Sequence, residues 1–187
     1  MSAARGRRPA SPGTPAAQDV AEMIRVDHAG EFGALRIYEG QLAVLEARAG
    51  DPKAVAAIRR MADQEARHLE RFDRLVNDRQ VRPTALSPLW QAAGFALGAG
   101  TALLGTRAAM ACTAAVEEVI DEHYAGQIER LEGDSELREA VSEFREDEIA
   151  HRDEALVHGA EDAPGYRLLS ATIKAGCRLA IRLSEKI

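Results

Sequence analysis

Apolar residues recur along this chain in steps of three and four. Ile24, His28, Glu31, Leu35, Tyr38, Leu42 and Leu45 fall on one stripe of a helix that starts near Asp19 and runs to about Arg48. The same steps select Val55, Ile58, Ala62, Glu65, His68, Phe72, Leu75 and Val76 in a second helix, which reaches about Arg79 and is stopped by Arg82-Pro83. Gly50-Asp51-Pro52 separates the two, with Asp51 placed to cap and Pro52 at the first helical position. Ser87-Pro88 opens a third helix, and Gly105-Thr106 divides it from a fourth. The fourth carries the stripe Met110, Thr113, Glu117, Ile120, Tyr124, Ile128 and Leu131. After Gly133-Asp134-Ser135 a fifth helix runs to about His158, with Leu137, Val141, Phe144, Glu148, His151 and Ala155 on one face. Gly159 to Pro164 reads as a loop, and a sixth helix covers about 164–186. No stretch of useful length alternates with the period of a strand, so the expected class is all-α.

The apolar stripes are interrupted by acids, and the interruptions repeat. Glu31 is followed by Glu65-x-x-His68, and Glu117 by Glu148-x-x-His151. A tyrosine, Tyr38 or Tyr124, lies seven residues after the first glutamate of each repeat. Periodicity selects Glu117 over Glu118, which falls with Ala111, Ala115, Glu122 and Glu129 on a face expected to be solvated. A chain with 19 Glu and five His yields single Glu-x-x-His matches by chance. The ordered duplication and the inward phase of all six residues are what carry weight.

Four glutamates and two histidines on four helices form the ligand set of a carboxylate-bridged di-iron site in a four-helix bundle. Buried carboxylates without a partner are prohibitive, and two divalent ions balance four of them. Histidine adds a nitrogen ligand suited to iron, and the i,i+3 spacing lets both side chains reach one ion. The set allows manganese as well. His28 is expected to support rather than ligate, because Thr113 takes its place in the second repeat. Asp147 is a candidate for orienting a ligand histidine from another helix, against the plainer reading of an acid that adjoins a ligand by chance. His123 falls off the inward stripe, and His158 suits the core. Tyr124 and Tyr38 are candidates for relaying protons or electrons, with plain packing an equal alternative.

The remaining composition narrows the class. A chain of 187 residues suits one domain, and a net charge of -6 argues against broad nucleic-acid binding. Cys112 and Cys177 lie far apart, which suggests neither a disulfide framework nor a zinc knuckle and fits a reducing compartment. Residues 1–18 lack an apolar run and read as a disordered tail, with an organelle-targeting segment the lesser reading. Residues 83–106 carry no charge at all. A membrane span is one reading of them and a buried connector another. The glycines at 94, 98, 100 and 105 favour a helix lying in the membrane interface, with Trp90 and Phe95 as anchors. Gly94-x-x-x-Gly98 marks a close helix contact. The sixth helix sets Leu168, Leu169, Ile173, Cys177 and Ile181 against Arg167, Lys174, Arg178 and Arg182, so it suits packing on the third helix or binding anionic lipid.

RVDHAGEFGALRIYEGQ (25–41), QEARHL (64–69), VRPTALSPLWQAAGFALGAGTALLG (81–105), MACTAAVEEVIDEHY (110–124) and DEIAHRD (147–153) together resemble the demethoxyubiquinone hydroxylase family, membrane-bound di-iron monooxygenases of ubiquinone biosynthesis. The resemblance covers about residues 20–187. Motif by motif, it places the iron ligands on Glu31, Glu65, His68, Glu117, Glu148 and His151. It implies a ferritin-like bundle over 19–187, with pseudo-repeats at about 19–80 and 106–158 and two further helices at 87–105 and 164–186. The implied reaction is hydroxylation by O2 of a polyprenylated 3-methyl-6-methoxy-1,4-benzoquinol, demethoxyubiquinol, to 3-demethylubiquinol. NADH is the implied reductant, although no Gly-rich dinucleotide fingerprint is present. The implied setting is peripheral: membrane lipid on the cytoplasmic face of a bacterial membrane, or the matrix face of the inner mitochondrial membrane in a eukaryote. The tail favours a bacterial member. A lipid-binding accessory protein is also implied as a partner, and the sequence leaves a homo-oligomer open. Two other readings stay open, a ferritin-like iron-storage or ferroxidase protein and a lipid-binding scaffold with a vestigial metal site. The uncharged segment argues against a soluble storage shell.

Overall fold

The computed structural model describes residues 17–186, all helical but for short connections. The helices are α1 (Ala17–Ala47), α2 (Pro52–Asp78), α3 (Ser87–Leu103), α4 (Thr106–Ile128), α5 (Ser135–Val157) and α6 (Tyr166–Ser184). A 3-10 turn, Ala160–Asp162, interrupts the loop expected before α6. Residues 1–16 of the expected tail lie outside the described residues, and Ala17 and Gln18 open α1.

The helix ends follow the capping residues. Asp51 accepts a bond from Lys53 N at 2.9 Å with Pro52 at the start of α2. Asp134 accepts from Leu137 N at 3.1 Å and starts α5. At Gly159 a φ of 83° turns the chain out of α5, a conformation that glycine reaches without a Cβ clash.

Helices α1 and α2 pair as one hairpin, and α4 and α5 as another; the two close into a four-helix bundle. Each hairpin is followed by a helix that folds back on the hairpin's own first member: α3 lies along α1, and α6 along α4. Apolar clusters seal both ends of the bundle. Tyr38, Leu45, Ile58, Met61 and Met110 fill one end. Ile24, Phe72, Leu75, Leu131, Leu137 and Val141 fill the other.

The expected solvated face of α4 needs correction. Glu122 and Glu129 are exposed as expected, but Ala115 is buried with Ile173 of α6 and Ile37 of α1, and Ala111 in the cluster that Leu169 of α6 packs against. Glu118 is half-buried and pairs with Lys174 of α6 at 2.5 Å, and Glu122 pairs with Arg178 at 2.8 Å. The basic residues of α6 are thus partly engaged on α4, which is its chief neighbour rather than α3. Cys112 and Cys177 pack in the same cluster as Ile173, and both are free thiols.

The α1–α3 contact is a backbone contact. A Cβ added to Gly98 would lie 1.9 Å from Ile37 O, one added to Gly94 2.8 Å from Gly33 O, and one added to Gly40 2.3 Å from Phe95 O. The Gly94-x-x-x-Gly98 signal therefore marks a real close approach. Gly98→Leu is expected to destabilise the chain by about 1–3 kcal/mol, through overpacking that parts the two helices. Gly100→Ala, with nothing within 4 Å, should be close to neutral. Denaturant unfolding of the two variants in detergent checks the contrast.

None of the described helices is long and apolar enough to cross a membrane. Trp90 Nε1 donates to Ser184 Oγ at 3.0 Å, and the Arg36 guanidinium lies 5.0 Å from the Phe95 ring centre. Leu89, Leu103 and Leu104 on the α3 side, and Leu168 and Leu179 on α6, are exposed.

Candidate metal centre

The periodicity that singled out six residues delivers them to one place. Glu31 comes from α1, Glu65 and His68 from α2, Glu117 from α4, and Glu148 and His151 from α5. None is more than 2% exposed. They form two overlapping groups, Glu31, Glu65, His68 and Glu148, and Glu65, Glu117, Glu148 and His151. Within each group one ligand atom per residue lies within 4.8 Å of the others. Glu65 and Glu148 belong to both. His68 Nδ1 is 3.4 Å from Glu31 Oε2 and 3.3 Å from Glu148 Oε1. His151 Nδ1 is 3.1 Å from Glu65 Oε1 and 3.4 Å from Glu148 Oε2.

Packing four carboxyls into a dry core strains their ionisation. Burial, then the neighbouring carboxylates, holds Glu65 and Glu117 well above the ordinary range. Burial raises Glu148 as well. Burial also works against ionised Glu31, but the imidazole of His68, 3.4 Å away, outweighs it and leaves Glu31 below its usual value. Burial would lower His68, yet the carboxylates of Glu148 and Glu31, 3.3 and 3.4 Å from its Nδ1, push it up to about 11. Burial dominates at His151 and lowers it. Without metal, His68 is the local cation of an over-acidic cluster.

The donor set fits divalent ions. Both oxygens of Glu65 and of Glu148, Oε2 of Glu31 and of Glu117, and Nδ1 of both histidines are buried without a hydrogen-bond partner. Buried polar atoms seldom stay orphaned, and here eight of them belong to oxygen and nitrogen ligands of one cluster.

The atoms that face away from the cluster are all held, and held crosswise between the repeats. Tyr38 donates to Glu117 Oε1 at 2.5 Å, while Tyr124 donates to Glu31 Oε1. His68 Nε2 lies 3.0 Å from Asp147 Oδ2, and His151 Nε2 lies 3.2 Å from Gln64 Oε1. Gln64 Nε2 in turn donates to Asp147 Oδ1 at 3.3 Å. Asp147 thus lies against a candidate ligand histidine of another helix. Gln64 was missed, although it precedes Glu65 as Asp147 precedes Glu148, and that equivalence was its available signal.

The other histidines stand outside the cluster. His28 Nε2 meets Asp73 Oδ1 at 2.9 Å. His158 is half-buried, 4.0 Å from Glu154. His123 Nε2 lies 3.0 Å from Asp27 Oδ1, and Gln127 Nε2 donates to the same oxygen at 2.7 Å. Neither Asp27 nor Gln127 was singled out in the sequence.

Residues 18–184 match the sequence profile of the family described as ubiquinone biosynthesis protein COQ7. The chain belongs to the COQ7 family. A relative named 3-demethoxyubiquinol 3-hydroxylase, from Rhodospirillum rubrum, is 53% identical over 98% of this chain and 88% of its own length. The human relative named NADPH-dependent 3-demethoxyubiquinone 3-hydroxylase, mitochondrial, is 52% identical over 90% of this chain and 78% of its own. The Saccharomyces cerevisiae relative named 5-demethoxyubiquinone hydroxylase, mitochondrial, is 44% identical over 88% and 77%. The COQ7 match spans all six candidate ligands, so the family to which the sequence motifs pointed is the one to which the chain belongs.

Proposed function

We propose that this chain hydroxylates the ring of a polyprenylated demethoxyubiquinol with O2, at a di-iron centre, as a late step of ubiquinone biosynthesis. The observation that carries this is the pair of overlapping ligand groups sharing Glu65 and Glu148. The names of the relatives support the substrate and the reaction. When bound, a diferrous pair supplies the activation of O2 and the redox equivalents that a carboxylate cluster lacks.

The chain's own residues set the conditions for that chemistry. Glu31 and His68 would hold one ion, Glu117 and His151 the other, and Glu65 and Glu148 would span both. Tyr38 and Tyr124 each occupy one oxygen of an end carboxylate and leave the other oxygen inward. In that role Tyr124 both fixes Glu31 and keeps a proton at its edge. Asp147 and Gln64 take the outer ring nitrogens and direct both Nδ1 atoms into the cluster. The apolar clusters at either end keep bulk water away.

Asp147→Asn should weaken divalent metal affinity about 10–100-fold, by loosening the tautomer and ring position of His68. A Co2+ titration of the metal-free variant measures this, and unchanged affinity would count against the orienting role.

The isoprenoid tail of such a substrate belongs in lipid. The exposed leucines of α3 and α6 suit a helix pair resting in the membrane interface, on the cytoplasmic face in a bacterium or the matrix face in a mitochondrion. A lipid-binding accessory protein and self-association fit the same surface. The human relative is named for NADPH, so we expect reduced nicotinamide nucleotide, NADPH or the NADH that the family resemblance implies, as the source of electrons.

The test uses chain purified in detergent, loaded anaerobically with ferrous iron, given a demethoxyquinol analogue and exposed to labelled O2. Two irons per chain and a product carrying one labelled atom are expected by mass spectrometry. Rapid iron oxidation with accumulating ferric mineral and no product would favour the storage reading instead.

A further inference from the structure

The six ligands are closed off from solvent, so an ion that arrives after folding needs a way in. A cavity of about 350 Å³ opens between the start of α1, the second half of α4 and the end of α6. Asp19, Glu22 and Glu185 line it, together with Arg130 and with Glu122, which Arg178 already pairs. His123 and Gln127 also line it. Gln127 is only 3% exposed, yet its Oε1 has no partner. Behind it the Asp27 carboxylate is wholly buried, held through Oδ1 by His123 and Gln127, and its Oδ2 is likewise orphaned. Asp27 precedes Glu31 by one turn of α1, a rise of about 6 Å. His123 adjoins Tyr124, whose hydroxyl bonds Glu31. Two unpartnered buried acceptors, Gln127 Oε1 at the cavity and Asp27 Oδ2 behind it, thus stand one helical turn before the first ligand.

We propose that this cavity is the entry port for the divalent ions of the metal centre, with Gln127 and Asp27 as the transit ligands that pass an ion from the rim to Glu31. The inference rests on the metal-centre reading above. A rim of like charge raises the local concentration of cations and speeds their capture. Among the described residues the rim acids do not converge into a group able to hold an ion. That suits passage, since a tight site at the mouth would keep what it caught. The seam between α2 and α5 is the poorer route. There Asp147 and Gln64 are committed to each other and to both ligand histidines, so opening it disturbs the site being loaded.

The experiment follows Co2+ entering the full metal-free chain in detergent, by stopped-flow absorbance, with final metal content measured separately. The variants are Asp27→Asn and the rim double Glu22→Gln/Glu185→Gln; Glu143→Gln, an exposed acid on α5, is the control. Loading about tenfold slower is expected for Asp27→Asn. The rim double should load a few-fold slower at low salt and approach the wild type at high salt. All forms should still end at two ions per chain. Wild-type rates in both variants would overturn the port while leaving the centre intact. A lower final content in Asp27→Asn would place Asp27 in the centre itself and overturn transit. A wild-type chain that takes up no Co2+ overturns the centre and the port together.

Discussion

Glu65→Ala and Glu148→Ala each abolish paired metal uptake and ring hydroxylation, with turnover falling about a thousandfold or more, equal to about 4 kcal/mol of barrier. The reason is their position. Glu31 and Glu117 each serve one group, whereas Glu65 and Glu148 serve both, so losing either leaves two incomplete sites rather than one. The folded state should not share this loss. Glu65 has both oxygens orphaned in the core and is held well above its ordinary pKa by burial and by Glu148, Glu31 and Glu117. The isosteric Glu65→Gln removes that opposition, and the metal-free variant should be more stable than the parent by about 1 kcal/mol. Metal analysis, labelled-oxygen product analysis and unfolding of the apo forms check the three parts. An alanine variant that folds, binds membranes and restores ubiquinone to a deficient host at full rate would sink the enzyme reading.

The metal-free chain should lose stability as pH rises above about 7. His68 goes from 6.5 to about 11 on folding. The folded chain therefore keeps a proton that the unfolded chain releases above 6.5, and the stabilisation is lost as pH climbs towards 11. Glu65, Glu117 and Glu148, all raised above 4.5, act with the same sign. Glu31 and His151 are lowered and act oppositely, but their effect ends at their ordinary values of 4.5 and 6.5. Above pH 7 the shifted members of the centre therefore pull one way, by on the order of a few kcal/mol. Metal reverses the trend, because ions displace these protons and bind more tightly as pH rises. Denaturant melts at pH 7, 8 and 9, with and without Co2+, should show opposite slopes. A flat metal-free profile would mean that His68 carries no such proton.

Much of this was legible in the chain because it is local. The helix boundaries follow Asp51-Pro52, Asp134 and Gly159, each acting within a turn of its own position. The six ligands follow from helical phase and from their order in the repeat. What escaped is non-local. Ala111 and Ala115 give no hydrophobic phase of their own, and their burial is decided by α6, dozens of residues further on. The Tyr38–Glu117 and Tyr124–Glu31 bonds join residues 79 and 93 positions apart, beyond any periodicity. His123 was correctly kept off the inward stripe, but its partner Asp27 lies 96 residues earlier on a different helix. Gln64 alone among these had a signal, its shared place with Asp147.

The crosswise bonds have a consequence for how this chain tolerates change. Each half carries the groups that finish the other half's ligands, the tyrosines by donating to Glu31 and Glu117, Asp147 and Gln64 by accepting from His68 and His151. A fragment ending after α3 would hold Glu31, Glu65 and His68 and still lack Tyr124 and Asp147, which fix the outer atoms of Glu31 and His68. Damage to Tyr38 or Gln64 in the first half is felt at Glu117 and His151 in the second. The halves are mutual chaperones of one another's chemistry, and neither is free to drift alone.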